Sequence, residues 1–286
     1  MKNYSIVCDS ACDLSEEMMK ARSLASLPLF FRFDGGSTLY KCGEMECSRF
    51  YAEMHSGKTA KTSGANASEF ISVVEPILKD GRDVIYVGFS SALSMTYSAA
   101  TCAAEELRKQ YPHRKIATID SLCASAGIAL LIDLILEKKA MGASFDEAVV
   151  FAEKTKLKIC HWFTVDNLDY LKRGGRINPG SAFFGNMLGI KPLLHVNDNG
   201  QLINVTKIRG RHATLIAMCE KYKELGEAGS KIYISHADCA DDANWLSQIL
   251  KSKYHAETVL ITDIGPVIGS HCGPGTLALF FIGKER

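Results

Sequence analysis

The chain has 286 residues, of which 47% are hydrophobic and 23% charged, and its formal net charge at pH 7 is +1. This composition excludes a disordered chain, and the length favours two domains, although one large domain is compatible with it. The near-zero net charge argues against a surface built for nucleic acid, while it leaves room for a local basic patch.

Apolar runs bounded by turn residues alternate with segments of helical period in the first half of the chain. This βα alternation predicts an α/β fold with a mostly parallel sheet and helices on both of its faces. We expect strands at Tyr4–Cys8, Leu27–Arg32, Val84–Phe89 and Lys115–Ile119, and helices at Ser15–Arg22, Ser48–His55, Ser68–Lys79, Ser94–Gln110, Ala124–Lys139 and Ser144–Lys158.

A second α/β unit is expected to begin near Ile159, which divides the chain into an N-terminal domain of residues 1–158 and a C-terminal domain of residues 159–286. An Asn-Asp-Asn-Gly turn at 197–200 predicts a β-hairpin in this unit. Helices and strands then alternate up to a last strand. The expected strands are Lys191–Val196, Gln201–Lys207, Lys231–Ser235, Ala256–Thr262 and Leu277–Ile282, and the expected helices are Ala213–Glu224 and Asp241–Lys251.

The first residues lack the pattern of a signal peptide, and the longest apolar stretch, Leu122–Leu136, is broken by Asp133 and is short for a bilayer span. The ten cysteines are scattered along the chain. We therefore expect a cytoplasmic protein with reduced thiols and no membrane-spanning segment. Because no CxxC pair occurs, no metal site is predicted.

Parallel α/β sheets bind ligands at the carboxyl ends of their strands, in the loops that lead into helices. Hydroxyl side chains occur in three such loops of this sequence. Ser10 follows the first strand, Thr62 and Ser63 precede a helix, and Ser91 and Ser94 follow the third expected strand. Hydroxyls and free backbone N–H groups at a helix N-terminus suit an anion. Capping of the helix explains any one of these segments equally well, but two in one half favour a ligand.

Several motifs of catalysis and nucleotide binding are missing. Without GxxxxGK[ST], or GxGxxG after a strand, neither ATP nor a dinucleotide is predicted. GxSxG is also missing, so Ser90, Ser91 or Ser94 acts as a nucleophile only if the fold supplies a histidine and an acid. Cys272 beside His271 is no reactive pair by adjacency alone, since sequence neighbours often point apart. A Ser or Cys hydrolase stays open as an alternative.

Two basic segments stand out against the balanced charge of the whole chain. One surrounds the diglycine at 174–175 and includes Arg173 and Arg176, and the other spans residues 207–212 and includes Arg209. They fit the solvated ends of elements and a docking site for an acidic partner or a phosphate group equally well. A regulator that binds a small anionic ligand is therefore a second alternative.

Several short blocks in a fixed order along the chain carry a resemblance to a known family. They are Cys8-Asp9-Ser10, Thr62-Ser63, SSALSMTY at 90–97, Asp120-Ser121-Leu122, FTVDNL at 163–168, GGR at 174–176, Ile190-Lys191-Pro192 and IGPVIGSHCGPG at 264–275. Together they resemble the DegV family of fatty-acid-binding proteins, which includes the acyl-carrier subunits of bacterial fatty acid kinase. The resemblance extends over nearly the whole chain.

The resemblance implies the two-domain α/β architecture called the EDD fold, with a long-chain fatty acid held between the domains and no cofactor. It implies that Thr62, with Ser63 beside it, and Ser94 bind the carboxylate, and that His271 supports this network. The secondary ligand-loop candidates are Ser10, Ser91, Met95 and Ser270.

The resemblance also implies that the chain performs no chemistry alone but presents the fatty acid to a separate ATP-dependent kinase and carries away acyl phosphate. Arg173, Arg176 and Arg209 are then candidates for contacts with the kinase or the new phosphate. The acyl tunnel would draw on Phe183–Leu188 and Ile128–Leu136, although most of these residues fit an ordinary core. No nucleic-acid partner is implied, and transient contact with a membrane surface is compatible with this function.

The sequence departs from the family pattern in places that bear on the acyl chain. Residues 64–68 replace a proline-containing stretch, and Met95 stands where glycine is common. Ser270 and Cys272 replace threonines in the last block, so Cys272 is interpreted as a substituted threonine. We expect this glycine- and proline-rich block to form a sharp turn that holds His271 beside the carboxylate, and we leave the acyl-chain preference open.

Overall fold

The computed structural model describes residues 4–177 and 189–286. Its strands fall into three sheets, of four, six and three strands. In chain order the strands are β1 (Tyr4–Asp9), β2 (Ala25–Leu27), β3 (Phe30–Phe33), β4 (Tyr40–Lys41), β5 (Ala60–Ser63), β6 (Asp83–Gly88), β7 (Ile116–Asp120), β8 (Ile159–Thr164), β9 (Ile190–Val196), β10 (Leu202–Arg209), β11 (Ile232–His236), β12 (Thr258–Asp263) and β13 (Leu277–Ile282).

Helices connect most of these strands, and local sequence fixes several of their ends. Asn66 and Glu69 form a reciprocal capping box at the start of one helix, and Ser144 and Glu147 form another. The helices are α1 (Glu16–Ala21), α2 (Cys47–His55), α3 (Ala67–Lys79), α4 (Thr96–Gln110), α5 (Ala126–Ala140), α6 (Phe145–Thr155), α7 (Asp169–Arg173), α8 (Arg211–Leu225), α9 (Ala240–Tyr254) and α10 (Pro266–Cys272).

The predicted α/β architecture is confirmed in both halves. In the first half β2, β1, β6 and β7 form a fully parallel sheet in that order. In the second half the order β10-β9-β8-β13-β11-β12 gives a mixed sheet, in which only β11 and β12 are parallel neighbours. The β9–β10 hairpin forms as predicted, with the asparagine and glycine turn at 197–200 between its strands.

The region around Pro28 differs from the prediction of one strand at Leu27–Arg32. The chain pairs with β1 up to Leu27 and then leaves that sheet, so that β3 begins at Phe30 in a separate antiparallel sheet of order β4-β3-β5. Proline has no N–H for a ladder, which explains the break. This small sheet carries Thr62 and Ser63 in a strand, where a loop was expected.

Helix α5 lies between the parallel sheet and the six-stranded sheet, since it contacts β6, β8, β11 and β13. Its sequence is apolar around most of its circumference, and residues Gly127–Ile132 are fully buried. A helix that is hydrophobic all round belongs in the interior of a protein. One continuous core cluster therefore runs through both halves of the chain and surrounds the cavity described next.

Candidate functional site

A cavity of about 210 Å³ opens among the loops that follow the strands of the first half, against the six-stranded sheet. Most of its wall is apolar, with Phe89 and Leu93 from the first half and Phe163, Val267 and Phe280 from the second. On β8 and β13 the inward residues alternate with outward ones, as the pleat of a strand requires. Such a wall suits a hydrocarbon ligand.

A hydroxyl–imidazole pair lines this apolar cavity. Thr62, near the end of β5, lies with its Oγ1 2.7 Å from Nε2 of His271 in the last turn of α10. Burial, and secondarily the positive charge of Arg176, lowers the pKa of His271 to about 4. The imidazole is therefore neutral at pH 7. Its Nδ1 is buried and has no hydrogen-bond partner among the described residues.

Helix α10 corrects the prediction of a sharp turn at residues 264–275. Pro266 occupies the first helical position and Gly273, with φ +79°, ends the helix. Proline is favoured at the first position of a helix and glycine directly after its end. The Ser270 hydroxyl donates to the Pro266 carbonyl at 2.7 Å, so it satisfies the helix and not the cavity. Cys272 does line the cavity, and burial raises the pKa of its thiol to about 12.

A close approach of two backbones brings Ser94 to the same wall. The Ser94 hydroxyl lies 2.9 Å from Oγ1 of Thr96 and accepts from the Thr96 N–H at 3.2 Å, at the start of α4. A Cβ on Gly64 would lie 2.4 Å from Oγ1 of Thr96 and 3.3 Å from Oγ of Ser94. Only glycine allows this approach, and Thr62, Ser63 and Ser94 therefore line one cavity.

Arg176 adds a positive charge to this polar end. Its Nε donates to the carbonyl of Leu93 at 3.1 Å and its Nη1 donates to the carbonyl of Gly174, which hold the guanidinium at the cavity wall. Burial lowers the pKa of Arg176, but arginine keeps its charge in proteins. A Cβ on Gly174 would lie 2.3 Å from Nδ1 of His271, so this glycine makes room for the imidazole.

Five of the candidate residues are not among the residues that line the cavity. The Ser10 hydroxyl accepts from the backbone N–H of Leu29, and Ser91 is exposed with its own N–H donating to Asp120. Arg173 is exposed and lies over the Tyr170 ring, and Arg209 is exposed at the end of β10. Ser270 joins them as a residue whose hydroxyl serves the helix. The Ser10 hydroxyl thus holds the local backbone together, whereas Ser91 is held through its backbone N–H.

Of Met95 and the two segments expected to form the acyl tunnel, only Met95 is seen to line the cavity within the described residues. Met95 lines the cavity but is 75% exposed, so it belongs to the rim. Residues 128–136 lie along α5 and do not line the cavity as the described residues define it. The other tunnel segment, Phe183–Leu188, lies outside the described residues.

Polar residues that the sequence did not identify also line the cavity, among them Ser125 and His161. The Ser125 hydroxyl lies 2.5 Å from Oδ2 of Asp13 and 2.9 Å from Oγ of Ser235. Nδ1 of His161 lies 3.0 Å from the Ile159 carbonyl, and burial holds the pKa of this histidine well below its usual value. Asp13 and Ser125 lie 112 positions apart, so no local pattern links them; the only sequence signal is a serine just before an apolar helix.

No cluster of three or more His, Cys, Asp or Glu side chains suited to a metal ion occurs within residues 4–177 and 189–286. In those same ranges, every helix is too short or too polar to cross a lipid bilayer.

Known proteins resemble the chain over its whole length. A family model described as "Uncharacterised protein, DegV family" matches residues 3–284. A DegV domain-containing protein of Clostridium perfringens is 39% identical over 289 residues, covering 100% of this chain and 99% of that protein. Crystal structures of a DegV lipid-binding protein from Thermotoga maritima (29% identity, TM-score 0.86, 99% of each chain) and of a stearic acid-binding protein from Eubacterium ventriosum (27%, 0.89, 98% of each) share the fold. The chain therefore belongs to the DegV family.

Proposed function

We propose that this protein binds a long-chain fatty acid in the cavity, with its carboxylate at Thr62, Ser94 and His271. The observation that carries the proposal is the Thr62–His271 pair, set beside Ser94 in the wall of an otherwise apolar cavity. Two solved relatives are described as binding lipid or stearic acid, which supports the same ligand class here.

A fatty acid needs an apolar surface for its chain and hydrogen-bond donors for its carboxylate, and the cavity wall offers both. Burial of a chain contributes about 0.8 kcal/mol for each CH₂, so a long chain supplies roughly 10 kcal/mol before the entropic costs of binding. A buried carboxylate without hydrogen bonds would offset much of this gain. The hydroxyls of Thr62 and Ser94 are donors that satisfy it, and Arg176 supplies a nearby positive charge.

The protonation state of His271 fits a carboxylate that must still react. Because the imidazole is neutral, it supports the carboxylate through hydrogen bonds and forms no ion pair. The oxygen that is not engaged by the hydroxyls keeps a lone pair that can accept a phosphoryl group. We therefore propose that the protein presents its fatty acid to a separate ATP-dependent kinase and then carries acyl phosphate.

The three arginines have different roles in this proposal. Arg176 lies at the cavity wall, where it can stabilise the new phosphate. Arg173 and Arg209 are exposed, which suits contacts with the kinase surface. We expect the phosphoryl transfer itself to depend on the kinase.

Hydrolysis by this chain is the less favoured function. Because burial raises the pKa of Cys272 to about 12, its thiol is protonated at neutral pH and is a weak nucleophile. The Ser94 hydroxyl is paired with Thr96, and the one histidine at this end of the cavity contacts Thr62. No hydrogen bond between His271 and Ser94 or Cys272 occurs among the described residues, so the imidazole does not activate either of these candidate nucleophiles.

Mass spectrometry of lipid extracted from the purified, denatured protein tests the ligand. We expect one or a few long-chain fatty acids at close to one per chain, and less lipid from a Thr62→Ala Ser94→Ala variant. A lipid-free protein that also takes up no fatty acid on incubation would overturn the proposal. Addition of a bacterial fatty acid kinase with ATP tests the second step, which predicts acyl phosphate only when both proteins are present.

A further inference from the structure

Ser125 is the point at which a buried polar network reaches the acyl cavity. Its hydroxyl contacts the carboxyl group of Asp13 and the hydroxyl of Ser235. Of these three residues only Ser125 lines the cavity, and all three are more than nine-tenths buried. The other oxygen of Asp13 accepts from the backbone N–H of Gly265 at 3.0 Å.

The backbone of Ser125 is held in an unusual conformation. With φ +54° and ψ −143° it occupies a region that glycine favours, where other residues are strained. Ser125 lies immediately before the buried start of α5, at a wall of the cavity where an apolar side chain would avoid the cost of a buried hydroxyl. The strained backbone therefore coincides with a hydroxyl that faces the cavity.

The network contacts the end of α10 that is opposite the end carrying His271. Asp13 is bonded to Gly265 at the start of α10, whereas His271 is in the last turn of that helix. Gly265 and His271 are six positions apart, which corresponds to about 9 Å along a helix. A fatty acid whose carboxylate is at Thr62 and His271 would therefore pass Ser125 with the middle of its chain.

The hydrogen-bonding capacity of Ser125 is not exhausted by its two partners. A hydroxyl has one donor and two acceptor lone pairs. If Asp13 is ionised, Ser125 donates to it and has a lone pair to spare; if Asp13 is protonated, it donates to Ser125, which can still donate or accept once more. A ligand hydroxyl, which both donates and accepts, is satisfied in either state, whereas a ketone oxygen, which only accepts, is not.

We propose that the cavity accepts long-chain fatty acids that carry a hydroxyl group near the middle of the chain, with Ser125 as the residue that binds that hydroxyl. This inference rests on the proposed function, since it assumes a carboxylate at Thr62 and His271. An unsubstituted chain also fits, because Ser125 is satisfied by Asp13 and Ser235 when no ligand hydroxyl is present.

The test compares the affinities of 10-hydroxyoctadecanoic and octadecanoic acid for the wild-type protein, Ser125→Ala and Ser125→Gly. Glycine suits the backbone of residue 125, so one variant remains folded if alanine is not tolerated. The wild type should bind the two acids within about threefold of each other. Loss of one buried hydrogen bond should weaken binding of the hydroxy acid about tenfold in both variants, with octadecanoic acid changed less than about twofold.

Two controls locate the effect at Ser125. Ser235→Ala removes a partner that does not line the cavity, so it should keep the wild-type ratio of affinities. The affinity for 2-hydroxyoctadecanoic acid, whose hydroxyl lies beside the carboxylate, should be the same in the wild type and in the Ser125 variants. An unchanged ratio in Ser125→Gly, with octadecanoic acid still bound, overturns this inference alone. Failure of the wild type to bind either acid overturns the proposed function with it.

Discussion

Two hydroxyl clusters line the same cavity and differ in charge. In one, called the outer cluster, Thr62 pairs with a neutral His271 beside the Arg176 guanidinium. In the other, near the start of α10 and called the deep cluster, Ser125 is bonded to the carboxyl group of Asp13. An anion is attracted to the first cluster, while an ionised Asp13 would repel it. We therefore expect the carboxylate of a bound fatty acid to lie at the outer cluster.

The clusters also differ in how far they are satisfied. Asp13 accepts hydrogen bonds from Ser125 and Gly265, and its backbone carbonyl accepts from Thr262. By contrast, Nδ1 of His271 has no partner among the described residues. The deep cluster is satisfied within the fold when no ligand hydroxyl is present, although Ser125 can form one more hydrogen bond, whereas the outer cluster contains a buried ring nitrogen that has no partner in the described part of the chain.

The largest expected effect concerns the acid of the deep cluster. Burial raises the pKa of Asp13 from 3.8 to about 7. Between these values the folded protein binds more protons than the unfolded chain, so stability falls as pH rises from 4 to 7, by on the order of 4 kcal/mol from this group. Asp13→Asn should remove that part of the slope in urea unfolding measured from pH 5 to 8. Identical slopes for the two proteins would show that Asp13 is not a buried acid of this kind.

Gly174→Ala should damage the outer cluster alone. A Cβ there would lie 2.3 Å from Nδ1 of His271, and overpacking of this kind costs about 1–3 kcal/mol. Urea unfolding should show this loss, and fatty-acid binding should weaken with it. In Gly174→Ala His271→Ala the overlap is gone, so stability should recover while binding stays weak. A single variant as stable as the wild type would contradict the packing described here.

Removal of the carboxylate donors should affect binding without much effect on stability. Thr62→Ala and Ser94→Ala should each weaken the binding of octadecanoic acid by about tenfold or more, since hydrogen bonds to charged groups contribute about 1.5–3 kcal/mol. Isothermal titration calorimetry measures the change. Ser91→Ala is the matched control, because Ser91 is an exposed hydroxyl in the same segment. Equal affinities of the Thr62 and Ser91 variants would place the carboxylate elsewhere.

The smallest effect is expected at the rim. Because Met95 is 75% exposed, Met95→Ala removes little buried surface and should change fatty-acid affinity by less than about threefold. Displacement of a fluorescent fatty acid is sensitive enough to detect this. A tenfold change would show that Met95 closes over the bound chain.

Local patterns in the sequence were sufficient for much of the fold. The parallel strands at Val84–Phe89 and Lys115–Ile119 and the hairpin at 197–200 follow from apolar runs and turn residues, and they form as expected. The small antiparallel sheet was missed because β4 has two residues and β5 is polar. Helix α10 was missed because its glycines and prolines indicate a turn, although proline at the first helical position favours a helix.

The site was less accessible to sequence reasoning. Its candidate carboxylate ligands came from a family resemblance, and the roles of Thr62, Ser94 and His271 stay predictions until a ligand is measured. Ser125 and Asp13 could not be paired from the sequence, because their contact forms only when α5 packs on the loop after β1. Tertiary contacts of this kind leave no local periodicity.

A crystal structure of the protein with octadecanoic acid would show directly where the carboxylate binds. We expect one carboxylate oxygen within hydrogen-bond distance of Oγ1 of Thr62 or Oγ of Ser94, with the chain running past Ser125. A carboxylate bound at Ser125 and Asp13, with the methyl end at Thr62 and His271, would contradict it.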